Sequence, residues 1–129
     1  MPVAWEIRGS VLIVTIVRDW TDRELASSTN GCLADPRFHP GTALLLDARQ
    51  SEVNSSVEEI ESRAHWITAL LSKGLSRQCA IVIGPKVFQS GLAAMARIYL
   101  ASKGLSLRTF SDLDEAVGWL SAQVPPEDR

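Results

Sequence analysis

Three small groups of side chains in this 129-residue chain have types and spacings that could do chemistry. The first is the triplet Asn54-Ser55-Ser56, where either hydroxyl could accept a phosphoryl group just ahead of a helical apolar repeat. A helix start there would meet a phosphate with free N–H groups and the positive end of its dipole. Glu58 and Glu59 oppose this, because they already complement that dipole and would repel a phosphoserine of about -1.5 to -2 charges. Ser55 with Glu58, and Ser56 with Glu59, also fit the S-x-x-E capping box. Capping is therefore the preferred reading of the triplet, and regulatory phosphorylation of Ser56 first and Ser55 second is the alternative.

The second group is Asp47 with Arg49. Asp47 closes the apolar run Ala43 to Ala48, and open α/β sheets collect functional groups at the carboxyl ends of their strands. Paired with Arg49 or with a helix N-terminus, it reads as a structural anchor. The third group is the histidines and cysteines. His39 and His65 show no HxxxH or CxxC partner spacing, so no metal site is expected. Cys32 and Cys79 read as free, buried thiols. No nucleophile elbow is present, and Gly84 with Lys86 falls short of the GxxxxGK[ST] of a phosphate-binding loop. Lys86 would at most attract an anion. The expectation is a protein that is not an enzyme, with no catalytic residue, metal or cofactor.

The elements that must position these groups follow from periodicity and punctuation. Trp5 to Arg8 and the β-branched run Val11 to Val17 flank Gly9-Ser10 and predict a β-hairpin. Thr21 with Glu24 is a capping box that starts a helix over Asp22 to Ala34. DPRFHPG (Asp35 to Gly41) is a connection, Ala43 to Ala48 a strand, and residues 49 to 56 a polar loop. A helix runs from Val57 to Lys73, with Gly74 as its stop. Gln78 to Ile83 is a strand, and a helix over Val87 to Ser102 follows with an apolar stripe at Val87, Leu92, Met95, Ile98 and Tyr99. Leu105 to Phe110 is the last strand. Asp112 caps a final helix carrying Leu113, Ala116, Val117 and Leu120. Strands alternating with helices imply parallel crossovers, so the fold class is α/β in the order ββαβαβαβα, with a mixed sheet of about five strands and four helices. The chain reads as one domain over residues 1–129, with 1–3 and 124–129 frayed.

Composition narrows the function classes. A hydrophobic fraction of 46% with 22% charged residues is that of an ordinary globular domain with a real core. A net charge of -2 without a Lys/Arg run argues against nucleic acid as partner. The longest apolar stretch, Val11 to Val17, is too short for a transmembrane segment, and MPVAWEIRG lacks the pattern of a secretory signal. A cytoplasmic location is expected. Two tryptophans and a methionine remain as interface or ligand candidates. Trp20 either staples its helix by packing onto Leu25 or stands exposed as an anchor. Trp66 and Met95 would line any apolar cavity between helices and sheet.

The element order, the segment LADPRFHPGTALLLDAR (Leu33 to Arg49), ARIYLA (Ala96 to Ala101) and TFSDLDEAVGWL (Thr109 to Leu120) resemble the STAS domain. Within it they look most like the bacterial SpoIIAA-like group. The resemblance spans Trp5 to Leu120. In anti-sigma-factor antagonists of this kind, a loop ending Asp-Ser-Ser-Gly precedes a helix, and its second serine is phosphorylated by a partner kinase to switch binding off. On this chain the motif falls on Asn54-Ser55-Ser56-Val57; the serines match, and the Asp and Gly do not. The resemblance implies a binding or regulatory module acting on a protein partner or on itself as a homodimer, with residues 50 to 57 as the contact surface. A binder of a small apolar or lipid-like ligand is the alternative, and an uncharacterised enzyme using Asp47 or a histidine the minor one.

Overall fold

β-Branched and leucine-rich runs cut by glycine turns become strands because they fit a pleated surface that is covered on both sides. The computed structural model describes residues 3–17, 22–50, 57–84 and 92–123. Its first two strands, β1 (Val3–Arg8) and β2 (Val11–Val17), form the expected antiparallel hairpin. Gly9 turns the chain between them at φ 63°, where a side chain would be strained. Helix α1 (Asp22–Ala34) then leads to β3 (Ala43–Gln50). Helix α2 (Val57–Leu70), tightened by a 3-10 turn at Leu71–Lys73, leads to β4 (Gln78–Ile83). Helix α3 (Leu92–Ala101) leads to β5 (Ser106–Phe110), and α4 (Leu113–Gln123) follows.

The five strands lie side by side in chain order, β1-β2-β3-β4-β5. β2 to β5 are parallel, and the sheet is mixed as the sequence predicts. Crossovers of one hand between successive neighbours put α1, α2 and α3 on one face. There Leu12, Val14, Leu44, Leu46, Cys79 and Leu107 pack against Cys32, Ala64, Ile67, Leu70 and Leu100. The alternate residues Val11, Ile13, Ala43, Leu45, Ala80 and Val82 face the other way and are closed over by Ala116 and Leu120 of α4. Both faces of the central strands are therefore dry, which is why their sequences lack polar alternation.

Main-chain bonds tie the amino ends of the parallel strands together: Ala43 N–H to Ser10 O, Ser76 N–H to Thr42 O, and Ser106 N–H to Arg77 O. Gly41 N–H reaches Gly74 O at 2.7 Å. Gly74 ends the 3-10 turn at φ 103°, as a left-handed helix stop should.

Strand ends and one helix face differ from the sequence reading. β1 opens at Val3, paired with Ile16, where fraying was expected. β3 runs on to Gln50, because its backbone keeps pairing with β2 past an irregularity between Thr15 and Val17. Polar side chains at Arg49 and Gln50 looked like a loop, but a ladder is a backbone matter. The α3 stripe is also turned. Met95 and Ile98, expected inward, are 42% and 69% exposed, and Leu100 is the buried residue. α3 is apolar on most of its circumference, so its periodicity could not choose the inward face. The part of this helix expected over residues 87–91 lies outside the described residues.

Candidate functional site at the carboxyl edge of the sheet

Period-two alternation places Asp47 and Arg49 on the same face of β3, the face covered by α4. Asp47 sits in register between Thr15 of β2 and Val82 of β4 and is buried. Its carboxylate is gripped at two points, with Arg49 Nε donating to Oδ1 at 2.9 Å and Nη2 to Oδ2 at 2.7 Å. The Arg49 backbone N–H adds a longer bond to Oδ1 at 3.3 Å. Burial is the largest single influence on Asp47 and pushes its pKa up, but the side-chain bonds, backbone bond and charge of Arg49 together hold it below the ordinary value. Arg49 is raised in turn, first by its bonds to Asp47 and further by the charges of Asp112 and Asp114.

Those last two carboxylates belong to the start of α4. Asp112 Oδ1 accepts the backbone N–H groups of Asp114 at 2.8 Å and Glu115 at 3.1 Å, the cap that the sequence predicts. Among the described residues the edge thus carries one buried carboxylate, one guanidinium about half exposed (45%), and two acidic side chains on a helix start. A carboxylate held ionised by a two-point partner neither gives nor takes a proton near neutral pH. What this edge offers is a fixed pattern of charge.

The other candidates scatter. Trp66 is half-buried, and its Nε1 donates to Thr29 Oγ1 at 2.7 Å, tying α2 to α1. Met95 faces outward on α3, so the two do not line a common cavity. His39 lies in the turn before β3, with Nδ1 3.0 Å from Pro40 O, at the amino end of the sheet and away from Asp47's edge. His65 is exposed on α2. Cys32 and Cys79 are free and buried, and burial pushes each thiol up to about 12. Among the described residues no cluster of His, Cys, Asp and Glu could hold a metal ion. Trp20, Asn54, Ser55 and Ser56, and with them the switch and the two capping boxes, lie outside the described residues, as does Lys86.

One grouping was not foreseen. Arg108 lies over the rings of both Phe110, at 5.2 Å, and Trp119, at 5.6 Å, and the two rings are themselves 5.8 Å apart. Arg108 and Phe110 are two apart on a strand, and that spacing was the available signal.

No known family profile and no curated protein matches the chain. Among solved structures it is similar to an uncharacterised protein of the DUF3478 family from Shewanella loihica, described as having a SpoIIAA-like fold. The match covers 92% of this chain and 91% of that one at 17% identity, with a TM-score of 0.61. The chain therefore has the SpoIIAA-like, STAS-type fold that its motifs resemble, and no helix among its described residues is long and apolar enough to cross a membrane.

Proposed function

We propose, from a SpoIIAA-like fold, that this domain is a non-catalytic regulatory module that works by protein–protein contact through the carboxyl edge of its sheet. The observation that supports this reading is the Asp47–Arg49 pair. It fixes a half-exposed guanidinium at that edge while taking the one carboxylate that is buried among the described residues out of proton transfer. Fixed charge at low conformational cost suits recognition, because less freedom is lost on binding. The exposed Met95 and Ile98 add an apolar surface on α3 that a homodimer or a partner would cover. Ser56 and Ser55 follow β3 in sequence, so a phosphoryl group on either would change the charge carried by the connection after Arg49.

Native mass spectrometry of the protein purified from its own host tests the reading. A defined complex, homodimeric or with a second protein, that Arg49→Lys weakens while circular dichroism shows the fold retained is the expected result. Ligand-free, unmodified monomer would overturn it, and a co-purified apolar small molecule would favour the ligand-binding alternative. Incubation with host extract and ATP, followed by peptide mapping, decides the switch separately: label absent from Ser55 and Ser56 removes it.

A further inference from the structure

The net charge of -2 conceals a segregation. From Ser62 to Ser111 the chain carries seven Lys and Arg and no Asp or Glu, so all fifteen acidic residues lie outside that stretch. The stretch contains β4, α3 and β5, the last two strands of the sheet and the helix between them, and the acidic start of α4 follows it. Lys103, over the Tyr99 ring, and Arg77, whose Nη1 donates to Gly104 O, stand at the start of β5. Arg108 stands at its centre.

The edge itself is open. The bond from Ser106 N–H to Arg77 O sets the phase of the parallel ladder, so Ser106, Arg108 and Phe110 turn their main-chain polar groups toward β4. Leu107 and Thr109 turn theirs outward. Among the described residues no strand pairs with that side, and β5 carries no proline and no break in register that would blunt it. Arg108 is exposed, stacked on two rings, and forms no ion pair among the described residues. Stacking restrains its position without using its N–H donors, so the fork that recognises a carboxylate is already in place.

From these observations we infer that β5 is a docking edge for an extended acidic segment of a partner protein, which adds as a sixth strand and sets a carboxylate against Arg108. Main-chain bonds to Leu107 and Thr109 supply the pairing, and Arg108 supplies the choice of residue. A second copy of this chain fits poorly. The antiparallel β5–β5 register that pairs Leu107 with Thr109 in both directions puts two Arg108 guanidinium groups opposite each other, an unfavourable pair. β5 against β1 of a second copy is a head-to-tail contact that leaves a free β5 edge on any open assembly. This surface is separate from the Asp47–Arg49 edge, and the inference does not rest on the function proposed above.

The test is amide NMR of the full chain with two short extended peptides of alternating threonine and valine, one with a central glutamate and one with a central lysine. The glutamate peptide should shift the Leu107 and Thr109 amides and slow their exchange. Arg108→Ala should weaken binding about tenfold, the loss of one charge-assisted contact. Thr109→Pro removes an outward donor without touching the β4 ladder and should abolish binding; if that variant does not fold, Arg108→Ala and Arg108→Lys carry the decision. Equal binding of both peptides would overturn the inference. So would protection of the same amides by self-association as protein concentration rises, or a response to phosphatidylglycerol vesicles or a DNA oligonucleotide without one to the glutamate peptide.

Discussion

Removing the guanidinium of Arg49 leaves the Asp47 carboxylate buried beside Val82 with its two-point partner gone. A buried group stripped of its partner costs about 1–3 kcal/mol, and the lower end applies because nearly half of Arg49 already faces water. Urea denaturation should therefore find Arg49→Ala less stable than Asp47→Asn, whose amide buries no charge. A smaller loss for Arg49→Ala would mean that the pair contributes little. Acid should weaken the fold for a related reason. Arg37, through its side-chain bonds first and then its backbone N–H, holds Asp35 at about 2 against an ordinary 3.8, and Asp47 is lowered too. The unfolded chain then binds more protons than the native one across that window, so stability is present above 3.8 and lost as pH falls from 3.8 toward about 2. Urea midpoints followed down to about pH 2 should show this fall, and Arg37→Ala should flatten it.

At the scale of the element, two glycines make opposite demands. Gly118 lies mid-helix on the exposed side of α4, with open space where a Cβ would go. Gly118→Ala should stabilise the fold by about 0.5–1 kcal/mol in thermal or urea unfolding. Gly74 has φ +103° and would set a Cβ 3.0 Å from Pro40 Cα, so the same substitution there should destabilise by more than that gain. Such contrasts also mark how far the elements were legible in sequence. Gly74 and Asp112 announced a helix stop and a helix cap because their chemistry is local. Asp47 and Arg49 were legible as a pair from their opposite charges two residues apart, but the strand that puts them on one face was not, because Arg49 reads as loop. The orientation of α3 was not legible, since an apolar helix with Met95, Ile98, Leu100 and Tyr99 can bury several stripes equally well. The contact of Arg108 with Trp119 depends on how α4 lies across β5, which no short-range pattern encodes.

Over the whole molecule, the two cysteines report on the integrity of the sheet and its covering. Cys32 belongs to α1 and Cys79 to β4, and both sit in the same apolar layer with their thiols pushed up to about 12. Neither presents a thiolate to a reagent while that layer is closed. Iodoacetamide should accordingly label both at one slow rate that tracks global unfolding; fast labelling of one alone would reveal a local opening. The charge segregation belongs to this scale as well. A residue count sums it to nearly nothing, although the stretch through β4, α3 and β5 is free of acidic residues up to the start of α4.

Spatial order equal to chain order has a consequence for biosynthesis. A sheet wound in both directions from its middle needs late strands to find their places on both sides of early ones. Here β3 pairs with β2, β4 with β3 and β5 with β4, so each strand joins the side left open by its predecessor. Each parallel pairing still joins residues about 30 apart, Leu44 with Cys79 for example, so these closures are slower than that of the β1–β2 hairpin. A nascent chain leaving the ribosome can therefore build this sheet in one direction, with each new strand added to the side opposite β1.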